Sequence, residues 1–531
     1  MGKRLVYTIG IMCCISTLTI QAQGYKNPIL PGFYPDPSVC RVGDDYYMVN
    51  SSFQYFPGVP VHHSKDLVHW ESVGHCLNRP SQVKLEEIGF RKGSYAPTIR
   101  YHEGTFYMAT TNTSDKGNFY VYADNPAGEW SDPIWVDQGG IDPDLFFDED
   151  GKCYFLSANW NIQICEIDIK TGKRLSESRN IWRGTGGRAA EAPHMYKKDG
   201  WYYLVIAEGG TEYGHKVTIA RSRSLHEPFQ ANPANPILTH INENGAGNPI
   251  QGTGHADFIQ AHDGSWWAVF LGFRPQSFTH HVLGRETFLA PVRWDKNAWP
   301  VVNGDGTVTL DMDCPTLPQV EFPQLSARNE FTDLKLGYEW NYLCLPHKGN
   351  YSLTERKGYL RLKATPITLD MVDSPTFVGR RQQHIKFRAG TKMDFSHLQD
   401  GGEAGITVYM CNSYRYDLSV VSTGERKTLK LTYHLGCLNH LEKEIELKGT
   451  KVFLRVEGDN DVYRFFYSTD NGNYEKLADM DVRFLSSETA GGFTGVYLAL
   501  FAQSKIESGS FADFDWFEYI PIIDNGDEPS F

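Results

Sequence analysis

Three stretches of this chain read as one repeat: DPSVCRVGDDYYMVN (36–50), DPDLFFDEDGKCYFLS (142–157) and EAPHMYKKDGWYYLV (191–205). Each has a polar start, an apolar strand, a turn rich in Gly or Asp, and an aromatic second strand. Two weaker copies, APTIRYHEGTFYMAT (96–110) and HADFIQAHDGSWWAVF (255–270), complete the set. The starts recur every ~45–65 residues, the spacing of β-propeller blades. In a propeller the innermost strands all face one axis, so residues at one repeat position meet. Asp36, Asp142 and Glu191 are thereby predicted to share a pocket, with His255 at the same position of the fifth blade. Carboxyls so placed raise one another's pKa. Stability alone does not favour that arrangement, and acid–base chemistry uses it.

The rest of the chain fits an all-β protein. It has 29 Tyr, 30 Phe and 12 Trp, recurrent turn formers, and no long run of 3.6-residue periodicity. The repeats occupy about residues 25–310. SKDLVHW (64–70), ADNPAGEW (123–130) and SRSLHEPF (222–229) read as outer blade turns closed by an aromatic, and WPVVNGDGTV, from Trp299, as the strand closing the ring. The Pro-punctuated segment Cys314 to Leu325 marks a boundary. Beyond it, alternating strands such as YLRLKAT (359–365), GITVYMC (405–411) and LKLTYHL (429–435) predict an antiparallel, jelly-roll-like β-sandwich. The expected organisation is a signal peptide (1–22), a five-bladed β-propeller (23–325) and a β-sandwich packed on it (326–531).

Composition also excludes some classes. A net charge of −13 without basic clusters argues against nucleic acid and anionic membrane surfaces; a neutral substrate suits it. The start, MGKRLVYTIGIMCCISTLTIQAQG, pairs a basic n-region with a short apolar run and a small residue at Ala22. This reads as a secretory signal cut near Ala22–Gln23, so an exported, periplasmic or secreted protein without a membrane span is expected. Lipidation at Cys13 or Cys14 is disfavoured by the preceding Ile11-Met12. Cysteines isolated on apolar strands, such as Cys40 and Cys153, read as small buried hydrophobes; disulfide connectivity is not readable from spacing. HExxH, GxSxG and clustered Cys/His zinc patterns are missing, so zinc proteolysis and serine-hydrolase chemistry lack support.

Individual residues sharpen the picture. Asp36 lies between two prolines in GFYPDPS, where a turn aspartate is the alternative. Asp144 competes with Asp142 for the third-blade role, and register favours Asp142. Glu191 sits between Ala190 and Ala192, apolar company that raises a carboxyl pKa as a general acid requires. Arg285 in LGRET is placed to pair with the acids or to bind substrate hydroxyls. Phe53, Tyr55 and Phe56 of SFQYFPGVPV, with Tyr95, are candidates for an apolar wall against a sugar ring. GTGGRAA (184–190) and EGGTEYGH (208–215) lack the strand-to-helix context of a phosphate loop and read as propeller turns.

NPILPGFYPDPSVCRVGDDYYMVNSSFQYFPGVPVHHSKDLVHW, GGIDPDLFFDEDGK, AAEAPHMYKKDGWYYLVIAEGGTEYGHKVTIARS and LGRET together resemble glycoside hydrolase family 43. The likeness is to its β-xylosidase and α-L-arabinofuranosidase branch with a C-terminal β-sandwich. It implies an inverting exo-glycosidase in which Asp36 is the general base, Glu191 the general acid, and Asp142 the residue that tunes and orients the acid. It implies that Arg285 contacts the innermost sugar and that FTGVY, starting at Phe493, reaches over the pocket. His255 is implied to lie near an axial ion, often a structural calcium; no cofactor is implied for the chemistry. The expected partner is a plant cell-wall oligosaccharide or polysaccharide. One departure is Tyr95, where many xylosidase relatives carry Trp, so the pentose stays open, as does the oligomeric state. Two other readings stand beside this one. A carbohydrate-binding propeller without catalysis is expected to have lost an acid. A retaining fructan-type hydrolase needs its carboxyls ~5–5.5 Å apart rather than ~6.5–9.5 Å.

Overall fold

The computed structural model describes residues 24–241, 248–312, 317–470, 472–507 and 509–522. The signal-peptide segment and Cys314 lie outside them.

The repeat folds as its pattern dictates. Five antiparallel sheets follow one another along the chain, and their innermost strands are Ser38–Val42, Thr98–His102, Ile141–Phe147, Glu191–Lys198 and Gln251–Gln260. Each is joined to its neighbour by a hairpin whose glycine has positive φ: Gly43, Gly104, Gly151, Gly200 and Gly264. The left-handed backbone needed there costs a residue without Cβ nothing, which explains the recurrent Gly. The segments ending in Trp70, Trp130 and Phe229 connect third and fourth strands, as their aromatic closure predicts.

Ring closure differs from the expectation for Trp299 onward. Val301–Val302 is the outer fourth strand of blade 5, paired with Glu286–Arg293. The ends of the propeller are tied instead by Tyr25–Lys26 pairing with Asp311–Met312, and by Leu30 bridging to Thr287.

The C-terminal half is a two-sheet sandwich. Its propeller-facing sheet runs, edge to edge, through Leu438–Glu446, Arg426–Leu435, Tyr414–Thr423, Gly402–Cys411, Tyr497–Ser504, Thr376–Arg381 and Asn341–Leu343. The last edge strand, Tyr55–Phe56, comes from the propeller. The strand Tyr497–Ser504 shows why both faces of this sheet are apolar. Leu498, Leu500 and Ala502 enter the sandwich core, while Tyr497, Ala499 and Phe501 join Phe33, Phe53 and Tyr55 between the two halves. Side chains alternate faces along a strand, so a sheet buried on both sides must be apolar at every position. The seven described cysteines are all free, six of them buried. No helix among the described residues is long and apolar enough to cross a membrane.

Candidate active site

The residues at the repeat position share an uncommon backbone. Asp36, Asp142 and His255 have φ of 54°, 53° and 49°; in blade 4 the matching residue is Ala192, with 55°, so Glu191, expected in register with the two aspartates, stands one residue ahead of them. In blades 3, 4 and 5 the same place carries a register shift in the inner strand. An extra residue in left-handed conformation turns the strand end and re-aims its side chain. The strain, of order 1–3 kcal/mol per residue, concentrates where side chains face the axis, as is common at functional sites.

The carboxyls thus brought together are in opposite electrostatic settings. Asp36 is buried. Arg285 Nη1 donates to its Oδ1 at 2.6 Å, His255 Nδ1 lies 3.4 Å from the same oxygen, and the Ser51 hydroxyl donates to Oδ2. Burial alone would raise its pKa, but Arg285, then His255 and Ser51, outweigh it and hold the carboxyl below the usual range. Asp142 accepts the Ala192 N–H at 3.2 Å. Burial, then Glu191 and Asp36, push it well above the carboxylate range. Glu191 is raised too, by burial and then by Asp36. Asp142 and Glu191 therefore titrate as a pair that retains a proton where Asp36 is ionised.

An aromatic wall closes one side. Phe53 and Phe493 stack with ring centres 5.8 Å apart, and Tyr95 lies 5.1 Å from Phe53 and 6.3 Å from Phe493. The Tyr95 hydroxyl is held by the Arg91 carbonyl at 2.6 Å. The Arg285 guanidinium lies 5.7 and 5.9 Å from the two Phe rings. FTGVY reaches this wall from the sandwich. Val496 N–H donates to the Val282 carbonyl at 2.8 Å, and any Cβ at Gly495 would collide with the Leu283 carbonyl. Phe56 is not brought here: it pairs with Tyr342 in the sandwich edge and packs against Val59, Val61 and Leu77. Phe53 holds the wall position instead.

Asp144 and Asp142 are likewise separated. Asp144 is engaged by Arg100 at 2.9 Å and by the Met195 N–H at 2.9 Å, further along the axis. His255 is kept neutral by burial, its pKa lowered to about 3, and its ring centre is 6.0 Å from that of His194. Among the described residues no group of three or more His, Cys, Asp or Glu side chains is arranged to hold a metal. The surroundings of His255 do not fit a calcium ion, which takes six to eight oxygen ligands.

One residue of the site escapes the sequence reading. Glu208 is fully buried, and its carboxylate accepts the Thr185 N–H at 3.0 Å, the Gly187 N–H at 3.2 Å and the Thr218 hydroxyl at 2.7 Å. It pins the glycine-rich loop that delivers Glu191. EGGTEYGH shows only a turn; that its first residue folds back under GTGGRAA needs the tertiary structure.

One ionised and one protonated carboxyl at the end of a propeller axis, beside stacked aromatic rings, can activate water and protonate a leaving oxygen on one sugar. The fold and site thus define a glycosidase. Residues 25–300 match the family described as "Glycosyl hydrolases family 43", and residues 328–520 match "Beta xylosidase C-terminal Concanavalin A-like domain". The chain is 41% identical over 526 residues to "Non-reducing end alpha-L-arabinofuranosidase BoGH43B" of Bacteroides ovatus, covering 97% of this chain and 98% of that one. It is 38% identical to "Xylosidase/arabinosidase" of Butyrivibrio fibrisolvens, covering 93% and 98%. Among solved structures, "Bacteroides ovatus Xyloglucan PUL GH43B" superposes with a TM-score of 0.90 at 40% identity, covering 94% of this chain and 100% of that one. The chain belongs to glycosyl hydrolases family 43.

Proposed function

We propose that this protein is an exported, exo-acting, inverting glycosidase. It removes non-reducing-end α-L-arabinofuranosyl residues, ahead of β-D-xylosyl, from hemicellulose side chains, with xyloglucan oligosaccharides as the first candidate. The observation that carries the chemistry is the meeting of three carboxyls in one pocket, Asp36 held by Arg285 and Ser51, and Asp142 and Glu191 without such a cation partner among the described residues. The arabinofuranosidase and xyloglucan names of similar proteins support the substrate, and the basic-then-apolar N-terminal sequence supports export. The wall of Phe53, Tyr95 and Phe493 suits a terminal sugar rather than a chain passing through.

In this reading Asp36 takes a proton from a water that attacks the anomeric carbon. Glu191 gives its proton to the glycosidic oxygen as that bond breaks. Asp142 keeps the proton on Glu191, and Arg285 holds Asp36 and faces the sugar. The test is hydrolysis of nitrophenyl α-L-arabinofuranoside, nitrophenyl β-D-xyloside and arabinosylated xyloglucan oligosaccharides, with the product anomer followed early by NMR. Inverted arabinose is expected. A retained anomer would assign Asp36 as nucleophile, and no turnover on any of these would leave a binding propeller.

The pH profile follows from the same groups. Asp36 must be ionised, so activity falls only as pH drops through a pKa below the ordinary carboxylate range. The acid must be protonated, so activity also falls as pH rises through the step that empties the Asp142–Glu191 pair, which lies above that range. Asp142→Asn removes one anion from the pair. The basic limb of kcat/KM is expected to move to lower pH. An unchanged limb would show that Asp142 acts only by holding substrate.

A further inference from the structure

Past the carboxyl pocket, the axis carries a second tier built from one side chain of each blade: Ser38, Arg100, Asp144, His194 and Asp257. Arg100 is its centre. Its Nη1 donates to Asp257 Oδ2 at 2.8 Å and to the Ile99 carbonyl at 3.0 Å, with Ser38 Oγ at 3.4 Å. Its Nη2 lies 2.9 Å from Asp144 Oδ1 and 2.9 Å from His194 Nδ1. Asp257 also accepts from the Ser38 hydroxyl, the Val39 N–H and the Tyr196 hydroxyl. Both carboxylates are fully buried.

Two buried carboxylates facing one axis must be compensated by positive charge. A divalent ion is one way to do so, and a guanidinium is another. The planar fork of arginine meets both carboxylates at once and cannot lose its proton. The hydrogen bonds also decide what remains for a metal. Arginine only donates, so His194 Nδ1 accepts and the proton of this neutral ring sits on Nε2. His194 then has no lone pair to offer. Asp257 accepts a hydrogen bond from Arg100, Asp144 is ion-paired with it, and Asp36 is held by Arg285 and Ser51. His255 offers a single nitrogen, 3.4 Å from Asp36 Oδ1.

We propose that Arg100 is the axial cation of this propeller: its guanidinium does the work that a bound divalent ion would do at the axis, and the protein folds and turns over without a metal there. The proposal rests on the position of the Arg100 guanidinium between Asp144, Asp257 and His194 and is independent of the sugar specificity.

The experiment compares thermal unfolding and nitrophenyl-glycoside turnover of the full chain after chelator dialysis, with and without added Ca²⁺. For the native sequence, Tm and kcat/KM are expected to be the same in all conditions. A Tm that falls with chelator and returns with Ca²⁺ would overturn the proposal, because metal-linked stability depends on metal concentration. Arg100→Ala leaves Asp144 and Asp257 without their counter-charge and is expected to lower Tm by about 10 °C. Added Ca²⁺ should then raise Tm in that variant alone. Native-like stability of Arg100→Ala in metal-free buffer would refute the role. If that variant does not fold, the triple variant Arg100→Met/Asp144→Asn/Asp257→Asn removes cation and anions together. It is expected to fold and to ignore Ca²⁺. A triple variant that also fails to fold would show that Arg100 serves by packing rather than by charge.

Discussion

Asp36→Asn is expected to abolish most turnover while the chain stays folded. The exchange keeps the shape of the side chain and the Arg285 contact, but the group can no longer take a proton from water. Loss of a general base or acid costs ~10²–10⁴-fold in rate. Glu191→Gln is expected to lose activity on the same scale against natural linkages, and the two variants separate on leaving group. A nitrophenolate departs without a proton, so Glu191→Gln should keep far more activity on nitrophenyl glycosides than on oligosaccharides. Asp36→Asn should be equally impaired on both, since the missing step is water activation. Rates on the two substrate classes, with circular dichroism to confirm the fold, decide this. Near-native turnover of either variant on an oligosaccharide would refute the assignment.

Removing the sandwich is expected to have an effect as large by a different route. A fragment 23–325 loses the strand Asn341–Leu343, the pairing partner of Tyr55–Phe56. It also uncovers Phe33, Phe53 and Tyr55, which pack on Phe377, Tyr409, Tyr497 and Phe501. Tyr55 and Tyr497 alone stack with ring centres 4.0 Å apart. Arg381, which donates to the Phe33 carbonyl at 2.7 Å, goes with it. An exposed apolar patch beside an unpaired strand edge leads to aggregation. The fragment should be recovered in inclusion bodies or as large particles by size exclusion, and without activity because Phe493 is missing from the wall. A soluble, fully active fragment would show that the sandwich is a spacer or a targeting module.

Much of the site was legible because a propeller converts sequence register into spatial proximity. Asp36, Asp142 and Glu191 are spread over more than a hundred residues, yet alignment of their repeats placed Asp36 and Asp142 in register and Glu191 within one residue of it. The second tier was not legible in the same way. Ser38, Asp144 and Asp257 each follow the first-tier residue by two positions, but His194 follows Glu191 by three, because Glu191 stands one residue ahead of Ala192, which holds the matching backbone position in blade 4. Arg100 stands further along its strand and reaches the axis by the length of its side chain.

Phe56 shows a different limit. SFQYFPGVPV carries several aromatics in a row, and nothing in the sequence says which of them faces the sugar. That is settled by Asn341–Leu343, nearly three hundred residues later, which draws Tyr55–Phe56 into the sandwich sheet and leaves Phe53 at the wall. The sequence by itself determined the repeat, hence the number of blades, the hairpin glycines and the convergence of the three acids, because all of these follow from local pattern and a fixed period. Only the tertiary structure decided which aromatics line the pocket, which carboxylates Arg100 neutralises and how Glu208 holds the Glu191 loop. Those depend on contacts between segments remote in the chain, and such contacts are selected by packing and charge compensation rather than by any periodicity the sequence displays.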